Sequence, residues 1–185
     1  MATDTTRRLI LLRHAKSDWP DVPDRDRPLA KRGRRDAPRI GRWLHEQGYQ
    51  PDVVVVSAAT RTRQTWDLVA PELAGSPAVH FEPRAYAASA LTLLYLAQEL
   101  PARYRTALLI AHNPGLSELA ASLAAPPESD RAAGPAATGP AVKDSPRPAI
   151  SLPTAAVAVF EFTGDWSSLT PGHARLTNLT TPADL

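Results

Sequence analysis

Apolar residues in this chain gather in short runs set between stretches of helical spacing. Leu9–Leu12, Val53–Val56, Ala78–Phe81 and Ala107–Ala111 are rich in Val, Leu and Ile, the pattern of strands buried in a parallel sheet. Between them Ala37, Ile40, Gly41 and Leu44 recur at helical spacing, and Leu91, Leu94, Tyr95 and Gln98 do so less cleanly. Pro38, inside the first of these helices, predicts a kink or a late start. Asn113-Pro114 predicts a helix start, with an N-cap residue before proline at the first helical position. Leu116, Leu119, Ala120 and Leu123 then share one face. From about residue 124 to about 150 the chain is crowded with Ala, Pro, Gly and Ser and has no apolar period, which predicts a mobile surface loop. Ala155–Phe162 and a stretch near Ala174–Leu179 predict two further strands.

Strands alternating with helices over 185 residues predict a single α/β domain spanning 1–185. Its architecture should be a three-layer αβα sandwich around a mostly parallel, about six-stranded sheet. Right-handed crossovers bring the loops after parallel strands to one edge of such a sheet. Arg13-His14 follows the first strand, Ser57 to Arg61 the second, Glu82 the third and His112-Asn113 the fourth, so four polar clusters converge on that edge.

Two arginines and two histidines there make a compact cationic pocket, and guanidinium forks match phosphate oxygens bidentately. The helix opening near Asn113-Pro114 adds free N–H groups and a positive dipole end, and the helix after Ala59-Thr60 can do the same beside Arg61. A histidine attacks phosphorus through a neutral ring nitrogen while its other nitrogen carries the proton. Neighbouring arginines keep the attacking nitrogen unprotonated and spread the charge of the equatorial oxygens in the transition state.

Composition narrows the chemistry further. Cysteine is absent, which excludes cysteine-nucleophile phosphatases, thiolate metal sites and disulfides. Zinc is disfavoured because Arg13 and Arg61 would repel a dication, so neither metal nor cofactor is expected. With 21 Lys and Arg against 19 Asp and Glu, a formal charge of +2 supplies no strong field for nucleic acid or membrane. The basic run Lys31, Arg32, Arg34, Arg35, Arg39, Arg42 reads as a solvated helix face. No apolar run approaches the roughly 18 residues of a spanning helix or a signal h-region, which predicts a cytoplasmic protein. His45, His80 and His173 read as structural or surface residues, and Trp43 and Trp66 as core.

The segment Leu9-Ile-Leu-Leu-Arg-His-Ala-Lys16 resembles the Arg-His-Gly signature of the histidine phosphatase superfamily, with Ala15 in place of the commoner glycine. Ser57-Ala-Ala-Thr-Arg-Thr-Arg-Gln-Thr65 resembles its second motif, and Ala111-His-Asn-Pro-Gly115 its second-histidine motif. Arg27-Pro-Leu29 with Gly33 and Ala37 fits the segment that follows the first motif. The variant Arg13-His-Ala-Lys-Ser-Asp-Trp19 and the short chain are most similar to the SixA-type phosphohistidine phosphatase branch. The resemblance implies a phosphoglycerate-mutase-like fold, His14 as phosphoryl acceptor, and Arg13, Arg61 and His112 around the phosphate. The substrate it implies is a phosphorylated protein or a small phosphorylated molecule.

Ser17, Trp19 and Asn113 are candidates for touching the substrate. Mutase-like members carry a glutamate acid in a longer segment after the third strand. Here only Glu82 stands near that place, so Asp18 and Glu82 are the candidate proton donors should the substrate be an ester. For phosphohistidine no donor is required, because imidazole protonated on its far nitrogen leaves as a neutral molecule. Three readings follow: a phosphohistidine phosphatase, a broader small-molecule phosphomonoesterase acting on sugar phosphates or nucleotides, and a non-catalytic phospho-ligand binding module.

Overall fold

Alternate residues of the apolar runs serve opposite faces of one sheet, and that division builds the three layers. The computed structural model describes residues 5–125 and 149–185. Its strands are β1 (Thr6–Arg13), β2 (Val53–Ser57), β3 (Ala78–Glu82), β4 (Thr106–Ala111), β5 (Val157–Thr163) and β6 (Arg175–Thr180). Its α-helices are α1 (Lys31–Glu46), α2 (Thr60–Val69), α3 (Ala90–Gln98) and α4 (Gly115–Ala124). Ile10, Leu12, Val54, Val56, Leu108 and Ile110 pack with Ile40, Leu44 and Trp66 of α1 and α2. Leu9, Leu11, Val53, Val55, Ala107 and Leu109 pack with Leu93, Leu96, Leu116 and Leu119 of α3 and α4. A strand of period two feeding two buried faces is the physical reason these runs show no polar alternation.

The sheet order is β3-β2-β4-β1-β5-β6. Strands β1 to β4 are parallel, β5 runs antiparallel to β1, and β6 antiparallel to β5. The mostly parallel, six-stranded α/β sandwich expected from the sequence is therefore present. Strand β4 lies directly between β1 and β2, with Arg13 level with Ala111. The loops leaving β1, β2 and β4 are thus neighbours at one edge, and His14 and His112 emerge side by side.

Four local expectations differ. Helix α1 begins at Lys31 and runs through Pro38, so the proline causes no late start. Burial of Ala37, Ile40, Gly41 and Leu44 along the helix outweighs the proline penalty of about 3 kcal/mol. Helix α4 begins at Gly115 with Pro114 at the cap position. Asn113 does not cap it, because its carboxamide donates to Leu152 O and accepts from Ser117 Oγ, both at 2.9 Å. In α3 the buried face is Leu93, Leu94, Leu96 and Ala97, whereas Leu91 and Tyr95 are exposed, since the helix packs on α4 and the sheet by a different stripe. Strand β5 starts at Val157 because Ala155, at φ 60°, turns its N–H onto the carbonyls of Arg13 and His14.

The loop expected at about 124–150 lies, apart from its ends, outside the described residues. Among the described residues no helix is long and apolar enough to cross a membrane. The basic run on α1 is exposed apart from half-buried Arg39, and Arg32, Arg35 and Arg39 all pair with the buried carboxylate of Asp36. Trp43 and Trp66 are core residues, and His45, His80 and His173 lie at the surface.

Candidate active site

His14 leaves the end of β1 as a buried ring whose protonation is set by its backbone. Its Nδ1 lies 2.8 Å from Ala15 O. A carbonyl can only accept, so Nδ1 carries the proton and Nε2 keeps its lone pair. Burial lowers the His14 pKa to about 3, and His112, Arg61 and Arg13 push the same way against the Ala15 bond. The ring is therefore neutral at physiological pH. The loop that carries it is pinned: Ala15 N donates to Thr65 Oγ1 at 3.0 Å, and Lys16 O accepts from Ala30 N at 2.8 Å. Gly33 of α1 lies directly against Lys16, close enough that a Cβ would meet its backbone.

His112 follows β4, and its ring centroid is 5.3 Å from that of His14. Its Nε2 is 2.6 Å from Ser57 Oγ at the end of β2, and its buried Nδ1 has no partner among the described residues. Burial, with Arg61 next, lowers its pKa to about 4, so this ring is neutral too. In the tautomer that accepts the Ser57 hydroxyl proton at Nε2, Nδ1–H becomes a free donor beside His14.

The two guanidinium groups close the pocket. Arg13 donates Nη1 to Leu152 O at 3.1 Å, and its buried Nε has no partner among the described residues. Burial, and then the charge of Arg61, lowers the Arg13 pKa. Arg61, in the first turn of α2, is itself buried. Its Nη1 donates to Asp24 O at 2.7 Å and its Nη2 to Asp24 Oδ2 at 3.1 Å. Two neutral imidazoles beside two fixed positive charges form an anion site containing one unprotonated nucleophilic nitrogen. Among the described residues no group of three or more His, Asp or Glu could hold a metal ion.

The other sequence candidates are placed less centrally. Ser17 is buried and accepts from Arg27 Nη2 at 2.8 Å. Trp19 is 75% exposed, with the Arg27 guanidinium stacked 3.2 Å from its ring centre, so it stands at the rim. Asp18 is exposed and accepts from Trp19 N. Glu82 directs its carboxylate to Arg84, which also binds Glu99. The structure does not join Asp18, Glu82 or Asn113 to the histidine pair by a hydrogen bond. The residue that pattern reading missed is Asp24, whose carboxylate meets Arg27, Arg61 and Tyr86. Tyr86 in turn sets its ring edge-on to His112 at 5.7 Å. Asp24 is one of several carboxylates between Asp18 and Asp26, and no spacing distinguishes it from the others.

The family model of the histidine phosphatase superfamily (branch 1) matches residues 9–85, which include His14 and Arg61. An uncharacterised protein of Mycobacterium tuberculosis is 35% identical over 172 residues, covering 92% of this chain and 99% of that one. A solved structure from Nakamurella multipartita, named as a candidate phosphohistidine phosphatase SixA, superposes with a TM-score of 0.75 at 29% identity, covering 96% of both chains. The chain belongs to the histidine phosphatase superfamily, in its SixA-type branch. A second candidate SixA structure, from Agrobacterium tumefaciens, gives a TM-score of 0.69 at 25% identity, covering 95% of this chain and 99% of that one. The superfamily and the SixA-type neighbours together support a phosphatase, and the fold is phosphoglycerate-mutase-like.

Proposed function

We propose that this phosphatase removes phosphoryl groups from phosphohistidine in proteins through a phospho-His14 intermediate, without a metal. The observation that carries the reading is the His14 ring: neutral, held at Nδ1 by Ala15 O, and flanked by Arg13, Arg61 and His112. In the first step the Nε2 lone pair attacks phosphorus and the substrate P–N bond breaks, its electrons returning to the leaving nitrogen. Arg13, Arg61 and His112 Nδ1–H hold the three equatorial oxygens as charge shifts among them. In the second step water attacks the phosphoryl group, the P–Nε2 bond breaks, and dihydrogen phosphate leaves with both water protons. His14 returns to its starting tautomer because Ala15 O has kept the Nδ1 proton throughout. The names of the SixA structures support this substrate class, and the pair of guanidinium groups supports independence from a divalent cation.

The experiment compares phosphohistidine protein, sugar phosphates and nucleotides at matched concentrations, with and without chelator, and traps the enzyme with labelled substrate. The expected result is fastest turnover of phosphohistidine, no effect of chelator, and a base-stable, acid-labile label that disappears in His14→Ala along with activity. Full activity in His14→Ala, or preferred turnover of sugar phosphates or nucleotides, overturns the reading.

A further inference from the structure

Asp24 does more than tie down Arg61, because it joins three donors at the mouth of the pocket. It opens a 3-10 turn, Asp24–Asp26, in the segment between the nucleophile loop and α1. Its Oδ1 accepts from Arg27 Nη1 at 3.0 Å, and its Oδ2 accepts from Arg61 Nη2 at 3.1 Å and from the Tyr86 hydroxyl at 2.7 Å. Its side chain is nevertheless 53% exposed, whereas those of Arg27 and Arg61 are 8% exposed. The carboxylate thus sits where the buried cationic pocket meets solvent. A carboxylate offers about four acceptor positions, three of which are taken by these donors. A fourth remains for a group arriving from outside. Arg61 ties the carboxylate to the anion pocket, and its partner Tyr86 stands edge-on to His112 at 5.7 Å, so the carboxylate lies on the His112 side of the pocket, at its solvent-facing mouth, where a group arriving from outside can meet it.

We propose that Asp24 is the leaving-group residue, whose carboxylate accepts the free ring N–H of a phosphorylated imidazolium and so selects N-phosphorylated cations over phosphate esters. The proposal rests on the phosphohistidine reading above and adds the residue that reads the leaving group. As His14 Nε2 bonds to phosphorus, the substrate P–N bond breaks and its electron pair returns to that ring nitrogen. The leaving imidazole departs neutral with its far N–H still hydrogen-bonded to Asp24, and no proton is transferred. The Tyr86 hydroxyl, then Arg27 and Arg61, hold the Asp24 pKa down to about 2. It is therefore ionised at neutral pH, suited to accepting an N–H and unable to supply the proton an alkoxide requires. An aryl ester such as 4-nitrophenyl phosphate brings only oxygen acceptors to this carboxylate, which repels them.

The test uses the full chain and two kinds of comparison. Wild-type protein is assayed on phosphoimidazole, on phosphoimidazole methylated at the far nitrogen, and on 4-nitrophenyl phosphate, each corrected for its uncatalysed rate. Methylation keeps the positive charge and removes the N–H, and should lower kcat/KM about tenfold or more, the scale of a lost charge-assisted hydrogen bond. In Asp24→Asn the ratio of kcat/KM for phosphoimidazole to that for 4-nitrophenyl phosphate should fall by a similar factor, and in Asp24→Glu that ratio should largely return. Equal loss on both substrates in both variants would mean that Asp24 only positions Arg61 and Tyr86, and overturns the proposal. So does indifference of the wild type to methylation, or a loss in Asp24→Asn confined to 4-nitrophenyl phosphate. Wild-type protein that fails to turn over phosphoimidazole overturns the phosphohistidine reading itself, a result separable from the variant ratios.

Discussion

Replacing Gly33 with alanine sets a local preference against a tertiary contact. Gly33 lies in the first turn of α1, where helix propensity alone favours alanine by about 1 kcal/mol. A Cβ at that position would stand 3.0 Å from both Lys16 C and Lys16 N, with the Lys16 carbonyl oxygen closer still. These are backbone atoms, tied to the same helix by the Ala30 N to Lys16 O bond of 2.8 Å, so no flexible side chain can yield. Relief requires the helix or the loop to move by about 1 Å, since carbon contacts settle near 3.5–4 Å. Overpacking of this kind costs about 1–3 kcal/mol, which exceeds the propensity gain. The displaced loop begins two residues after His14, and a misplacement of about 1 Å lowers catalysis roughly a hundredfold. Gly33→Ala should thus be both less stable and much less active. Urea unfolding and kcat/KM on phosphoimidazole measure the two effects. A variant about 1 kcal/mol more stable than wild type and fully active would show that propensity wins, and would refute the reasoning.

Arg61→Ala should lower kcat/KM by about 2–4 kcal/mol of transition-state stabilisation, the range for removing an oxyanion donor. An unchanged kcat/KM on phosphoimidazole would mean that Arg61 does not hold the phosphoryl group. Stability should fall on acidification, because His14 and His112 have pKa values lowered to about 3 and about 4, whereas unfolded histidine titrates near 6.5. Between about pH 4 and 6.5 the unfolded chain binds more protons, so each histidine removes up to about 1.4 kcal/mol of stability per pH unit lost. Their contribution is complete above about pH 6.5. Urea unfolding at pH 7, 6 and 5 should show this slope, reduced in His14→Asn; a slope that His14→Asn leaves unchanged would contradict it.

The strands, their mostly parallel direction and the convergence of His14, Arg61 and His112 were legible in the chain itself. Buried apolar runs and the residues directly after them are local signals, and the right-handed crossover rule turns them into one functional edge. Tertiary packing overrode local preference where the two competed: α1 continues through Pro38, and Asn113 bonds to Leu152 and Ser117 in place of capping α4. What only the folded chain decided is which polar groups meet. Ser57 takes Nε2 of His112, Ala15 O selects the tautomer of His14, and Asp24 reaches Arg61 from 37 positions away and Tyr86 from 62. A carboxylate in a run of carboxylates carries no periodicity and no spacing rule. Its partner is chosen by the path of the loop between Trp19 and Arg27, and that path is set by contacts distant in sequence.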